Sequence, residues 1–260
     1  MKADRPRRLG VLRSPWTLRI LSLAVVLLSW EVYGRQNPLF VSYPSAIATA
    51  FVNRFFPEIL PAFGNTAKAF GLGFAISGPL GIVTGMAMGR SRVVDTALSP
   101  YVNALYVTPR VTLIPLLVIW LGVGFTMQVV IIVLSSIFPV IVTVYAGARV
   151  MDRDLVDVGR VFAASRWQIF RTIIVPGTLP YIFTGARLGM ARALAGVISA
   201  EMTVAITGVG RLLIQKAQFL KMDELFAPLI LLGLISILLT RTLIGLQGRL
   251  TPWAQQGVNR

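Results

Sequence analysis

Few side chains in this chain could carry out acid–base or covalent chemistry. Its 260 residues include no His and no Cys, which removes the commonest general base, the thiol nucleophile and the usual metal ligands. Among the ten acidic residues, only Glu201 is expected to be buried. The sequence also lacks Gly-x-x-x-x-Gly-Lys-Ser/Thr, the loop that cradles nucleotide phosphates. We therefore expect no catalytic residue, no metal site and no cofactor bound by this chain.

Basic side chains within apolar stretches are the remaining groups that could have a chemical role. Arg110, Arg187 and Arg192 lie in such stretches, as does Glu201. Charges inside a membrane are costly and usually face protein or water. Two interpretations stay open. In the first, these side chains help an anionic solute along a translocation path. In the second, they stabilise the fold: Arg187 is paired or reaches toward the cytoplasm, and Glu201 lies at the outer interface.

The composition indicates what kind of elements must position these residues. Apolar residues make up 55% of the chain and charged residues 13%, against about 25% charged in a typical soluble domain. The net charge of +15 would suit a nucleic-acid partner, but the Arg residues fall between apolar runs rather than on polar faces. We therefore predict an all-α integral membrane protein surrounded by a lipid bilayer, with no nucleic-acid partner.

Six segments approach the length of about 20 apolar residues that a membrane-spanning helix needs. They cover about residues 16–33, 67–88, 98–121, 127–148, 179–206 and 227–245. A basic start before a short apolar run also fits a secretory signal peptide. No small-x-small cleavage site follows the run directly, so we interpret the first segment as a retained helix.

The distribution of positive charge predicts the orientation. Basic residues concentrate in the N-terminal tail, around Arg90 and Arg92, in 149–171 and at the C-terminus, whereas 34–66, 122–126 and 207–226 have less net positive charge. The positive-inside rule places the first group, with both termini, in the cytoplasm. The predicted organisation is a basic tail (1–19), a six-helix membrane domain (20–248) with a long cytoplasmic loop (149–176), and a second tail (249–260).

Small residues recur every four positions in the second predicted span. Such a stripe lets another helix backbone approach closely. Its members are Gly73, Ser77, Gly81, Gly85 and Gly89.

Prolines are expected to interrupt two spans. Broken helices at membrane depth are tolerated where protein or a wet cavity satisfies the backbone, which favours a transport path. The residues concerned are Pro100, Pro109 and Pro115 in the third span and Pro139 in the fourth.

The long cytoplasmic loop contains two amphipathic pieces. Leu155, Val158 and Phe162 share one helical face of the first piece. The second piece carries Trp167, Phe170 and Ile174, and Pro176 is predicted to end it. By periodicity alone the loop is either a helix lying on the membrane surface or a protruding helix–turn–helix that docks into a partner.

This loop resembles the "EAA" loop of binding-protein-dependent ABC importer permeases. That pattern runs Glu-Ala-Ala, three residues, Gly, nine residues, Ile, one residue, Leu-Pro. Here Asp157-Val158-Gly159 stands at Glu-Ala-Ala, Ala163 at the Gly, Ile173 at the Ile and Val175-Pro176 at Leu-Pro. Ala163 is the main departure, because the left-handed turn that Gly permits costs Ala about 1–2 kcal/mol.

Two further segments resemble the nitrate/sulfonate/taurine branch of these permeases. Residues 107–124, from Val-Thr-Pro-Arg to Gly-Val-Gly, are similar to its third-span signature, although Phe125 replaces the usual acid. Residues 180–187, with Ala200-Glu201-Met202 and Gly208-Val209-Gly210, are similar to its fifth span. The resemblance covers about residues 40–245.

The resemblance implies a type I ABC importer permease of the bacterial inner membrane, usually a homodimer. Two cytoplasmic ATPase subunits, which bind ATP and Mg²⁺, would grip the loop, and an extracytoplasmic binding protein would deliver a small solute such as nitrate, a sulfonate or taurine. The implied coupling residues are Asp154, Asp157, Val158, Gly159, Phe162, Ala163, Ala164, Ser165 and Trp167. The alternative, a secondary transporter driven by an ion gradient, explains the spans but not the patterned loop.

Overall fold

A computed structural model describes residues 15–38, 40–150, 153–204 and 207–255, with only the backbone of residues 153–154 and 254–255. These residues form helices and no strand, so the all-α prediction is confirmed. The α-helices are, in chain order, α1 (Pro15–Gln36), α2 (Pro44–Arg54), α3 (Leu60–Arg90), α4 (Arg92–Val107), α5 (Ile114–Leu121), α6 (Phe125–Val150), α7 (Arg153–Val161), α8 (Arg166–Ile169), α9 (Val175–Val204), α10 (Val209–Gln218), α11 (Met222–Leu250) and α12 (Pro252–Gln255).

Four helical stretches are long and apolar enough to cross a membrane. They are α1, the continuous helix formed by α2 and α3, α6, and α11. Two bent pairs pass the same test together: α4 with α5, at 92°, and the helix that contains α9 with α10, at 48°. If each bent pair is one span, the total reaches six, and each predicted span overlaps one of these units.

The stretch 34–66, expected to be an outer loop, is largely helical. A π-helical turn, Phe55–Ile59, joins α2 to α3, so that one helix of 47 residues runs from Pro44 to Arg90. In that turn the N–H of Leu60 donates to the carbonyl of Phe55. The wider turn accommodates Pro57 and Pro61, which cannot donate a backbone hydrogen bond.

The proline predictions hold at one break and are wrong elsewhere. The chain breaks at Thr108-Pro109, where α4 ends and a short 3₁₀ turn (Arg110–Leu113) begins, and Pro115 lies in the first turn of α5. Pro100 and Pro139, however, lie inside continuous helices.

Pro176 also fails to end a helix. A second π-helical turn, Phe170–Ile174, connects α8 directly to α9, and the N–H of Val175 donates to the carbonyl of Phe170. Packing against neighbouring helices offsets the lost hydrogen bonds that would break an isolated helix.

The first helix is attached to the body near its C-terminal end. The indole N–H of Trp30 donates to the carbonyl of Ser42 at 2.7 Å. The carboxylate of Glu31 accepts from the backbone N–H of Ser45 at 3.0 Å and from its hydroxyl at 2.7 Å. Glu31 therefore caps α2, whose own N-cap residue, Tyr43, supplies no side-chain bond.

The core is organised around α6. Helices α3 and α9 pack along it over most of their length. By contrast, α11 buries only Ala227 and Pro228 among its residues, and α1 is almost entirely exposed. Apolar helices with this much free surface are expected to face lipid or other subunits.

Candidate functional site

The first candidate site is the hairpin formed by α7 and α8. Helix α7 is followed by Ala163, which lies in the left-handed region at φ 51°. The N–H of Ala164 donates to the carbonyl of Gly159 at 3.0 Å, and that of Ala163 to Arg160 at 2.9 Å. These two bonds form a Schellman motif. The turn that the family pattern builds with Gly is thus made here with Ala, despite its steric cost.

A capping box starts the second half of the hairpin. The N–H of Gln168 donates to the hydroxyl of Ser165 at 3.3 Å, and the N–H of Ser165 donates to the Gln168 side-chain oxygen at 2.7 Å. The Trp167 ring stacks on Phe170 with centroids 5.5 Å apart. Helix termination by Ala163 and helix initiation by Ser165 therefore set the hairpin angle locally.

One face of the hairpin is anchored in the core. Val156 is buried and packs with Ile169 and Ile174 in a cluster that includes Met86 and Val144. A Cβ on Gly159 would lie 3.1 Å from Ile173 Cδ1, so Gly159 lets α7 approach the segment after α8.

The opposite face of the hairpin is apolar and uncovered. Phe162 is 81% and Val161 84% exposed, and Leu155, Val158 and Trp167 are also exposed. Asp157 is exposed and pairs with Arg160 at 2.8 Å. The side chain of Asp154 lies outside the described residues. The sequence predicted this face, but it missed the anchor Val156 and the highly exposed Val161.

The second candidate site is a half-open cavity of about 220 Å³. It lies where the 3₁₀ turn after α4 meets α6 and α9. Arg110 and Arg192, two of the four predicted path residues, line it together with Ser135 and Ser199. The Ser residues were missed, although polar residues inside apolar helices are a usable signal.

The other two predicted path residues do not line this cavity. Arg187 is half-buried on α9. Glu201 is 1% exposed, and it accepts hydrogen bonds from the Thr66 hydroxyl at 2.9 Å and from the Gly210 N–H at 2.9 Å. The structure encloses Glu201 between α3, α9 and the start of α10, close to the end of α9.

The predicted small-residue stripe lies against α6. A Cβ added to any of its glycines would come within 3.0 Å of an α6 atom, and the hydroxyl of Ser136 donates to Ser77 at 2.6 Å. The α6 residues that the glycines meet are Ile132, Val140, Ile141, Val144 and Ala148. The stripe brings α3 and α6 close enough to form the core on which both candidate sites depend.

Comparisons with known proteins agree with this architecture. The sequence model for "binding-protein-dependent transport system inner membrane component" matches residues 77–256. The chain is 30% identical over 246 residues to the taurine transport system permease protein of Escherichia coli, covering 91% of this chain and 90% of that protein. It is 28% identical over 273 residues to the nitrate import permease protein of Synechocystis, covering 97% of each.

A solved structure shares the fold. A chain of a bacterial ABC transporter involved in the import of the acidic polysaccharide alginate superposes with a TM-score of 0.67 at 14% identity, covering 95% of this chain and 100% of that one. The chain therefore belongs to the binding-protein-dependent inner membrane components, the permeases of ABC transporters, and within them to the nitrate/sulfonate/taurine-type branch.

Proposed function

We propose that this chain forms the membrane path of an ABC importer for a small anionic or zwitterionic solute of the nitrate, sulfonate or taurine kind. The α7–α8 hairpin receives the movement of a separate ATPase. The observation that carries this proposal is the uncovered apolar face of Val158, Val161, Phe162 and Trp167 on a hairpin whose other face is anchored in the core. A rigid element with an unpartnered apolar face is suited to docking.

The assembly that follows has three kinds of component. Two copies of this chain form the path, and two ATPase subunits bind ATP and Mg²⁺ and hold the two hairpins. A substrate-binding protein meets the opposite side. Positive charge near the hairpin and at both termini supports their placement in the cytoplasm, with the path in the bacterial inner membrane.

Co-purification tests the docking role. Phe162→Asp places a charge on the apolar face and should abolish recovery of the ATPase with this chain, because a desolvated carboxylate opposes apolar contact. The matched control is Phe56→Asp, which alters another exposed ring, 73% accessible, in the α2–α3 turn. Equal ATPase recovery from both variants and the unaltered chain would contradict the proposal.

Uptake energetics separate this function from a secondary transporter, which the family assignment does not support. We expect uptake in vesicles to continue when an uncoupler removes the ion gradient while ATP is maintained. Uptake that stops with the gradient at constant ATP would favour the secondary transporter instead.

A further inference from the structure

The cavity near Arg110 lies beside the middle of α6. Ser135 is ten positions from the start of α6 at Phe125, a distance of about 15 Å along the helix axis. The α4–α5 break at Pro109 also lines the cavity. Irregular backbone at membrane depth is tolerated where it lines a cavity. The cavity therefore accounts for the tolerance of the break between α4 and α5.

Arg110 is held in a fixed position with unused donor capacity. One terminal nitrogen of its guanidinium donates to the carbonyls of Leu105 and Tyr106, at 3.2 and 2.8 Å. The group also lies over the rings of Tyr106 and Phe138. Its Nε is buried and has no hydrogen-bond partner. A buried donor without a partner is costly, and here the donor belongs to a charged group beside a cavity.

A second guanidinium faces the same cavity. Arg192, on α9, lines the space together with Arg110, and the two like charges repel each other. Among the described residues, neither guanidinium forms a salt bridge with a carboxylate. Two neighbouring cations at one cavity, neither paired with a carboxylate, favour a bound anion.

The remaining lining suits a small oxyanion. The hydroxyls of Ser135 and Ser199 add neutral hydrogen-bonding groups, and Gly196 leaves room beside Ser135, because a Cβ there would lie 2.5 Å from the Ser135 hydroxyl. Guanidinium groups match the geometry of planar or tetrahedral oxyanions. The cavity volume of about 220 Å³ is sufficient for a solute of few heavy atoms.

We propose that Arg110 and Arg192 form an anion-binding site inside the membrane, which holds the nitrate-like or sulfonate-like oxygens of the transported solute. This inference rests on the proposed function, and it assigns to the membrane subunit itself a selection for oxyanions. The hydroxyls of Ser135 and Ser199 complete the site by donating to oxygens that the two guanidinium groups leave free.

The test uses the complex of this chain with its ATPase in phosphatidylcholine nanodiscs. Thermal unfolding is followed against sodium nitrate and sodium ethanesulfonate, with sodium chloride at equal ionic strength as the reference. A ligand that binds only the folded state raises Tm with a saturable concentration dependence. We expect at least one oxyanion to do so, and Arg192→Gln and Arg110→Gln each to weaken its apparent affinity by about tenfold or more.

Controls separate a site from general effects of charge. Arg241→Gln removes an exposed cation on α11 and should leave the oxyanion response unchanged. Arg192→Lys keeps the charge but loses the planar fork, so it should give an intermediate affinity. If Arg110→Gln does not yield folded protein, Arg192→Gln carries the test, because Arg192 is exposed.

Three results would overturn the inference. One is an oxyanion response identical to that of chloride, and another is a response that Arg192→Gln leaves intact. The third is mass-spectrometric detection of a phospholipid that is lost in Arg192→Gln and is not displaced by either oxyanion. ATPase recovery is measured on the same preparations. It distinguishes a failure of this inference from a failure of the proposed function, because it depends on the hairpin and not on this cavity.

Discussion

The hydroxyl oxygen of Thr66 lies 2.9 Å from Oε1 and 3.0 Å from Oε2 of Glu201, although the two residues are 135 positions apart. The same oxygen accepts the backbone N–H of Val209 at 2.9 Å. One side chain on α3 thus joins the end of α9 to the beginning of α10. The buried carboxylate of Glu201 serves to hold this junction together.

Replacement of Thr66 should loosen this junction. Thr66→Val keeps the shape but removes one of the donors to the Glu201 carboxylate, which retains the Gly210 N–H, and takes away the hydroxyl that accepts the Val209 N–H. A buried group left without its partner costs about 1–3 kcal/mol. We expect a lower Tm for the purified chain in detergent, measured by tryptophan fluorescence. Thr66→Ser keeps the hydroxyl and should retain most of the stability. A larger loss in Thr66→Ser than in Thr66→Val would show that the methyl group, not the hydrogen bonds, matters.

Gly208 should not accept a side chain. Its φ is 92°, and an added Cβ would lie 2.1 Å from Oε1 of Glu201. Gly208→Ala combines backbone strain with displacement of a buried carboxylate, so little folded protein should be recovered by size-exclusion chromatography. Gly233→Ala on α11 meets nothing within 4 Å and should behave like the unaltered chain. Normal recovery of Gly208→Ala would mean that the junction rearranges freely.

The contact between α3 and α6 can be tested with a pair of identical substitutions on one helix. A Cβ on Gly81 would lie 2.8 Å from Val140 Cβ, whereas one on Gly71 meets nothing within 4 Å. Gly81→Ala should destabilise the chain by about 1–3 kcal/mol through overpacking. Gly71→Ala should be neutral or slightly stabilising, because Ala favours helix more than Gly does. Thermal melts that rank the two variants in the opposite order would contradict this packing.

The left-handed residue in the hairpin gives a prediction of increased stability. Ala163→Gly removes the steric cost at φ 51°, about 1–2 kcal/mol, and should slow hydrogen exchange of the α7 amides by about five- to thirtyfold. Ala164→Gly is the control, since Ala164 lacks a positive φ and gains nothing from Gly. Exchange that is slowed equally by both substitutions would rule out relief of strain at Ala163.

The position of the hairpin site could be predicted from sequence, but the residues against which its side chains pack could not. The spacing back from Pro176 identified the hairpin and marked Ala163 as the unusual position, because turn chemistry is local. The exposure of Val161 and the burial of Val156 could not be predicted, since both residues are apolar and only packing against Ile169 and Ile174 distinguishes them.

The sequence by itself determined the all-helical membrane class, because apolar run length and four-residue spacing of small residues are local properties of the chain. Only the tertiary structure decided that helices continue through Pro139 and Pro176, that Arg110 and Arg192 share one cavity and that Thr66 meets Glu201. These outcomes depend on which helices lie side by side. That arrangement comes from long-range packing around α6, which no single stretch of sequence contains.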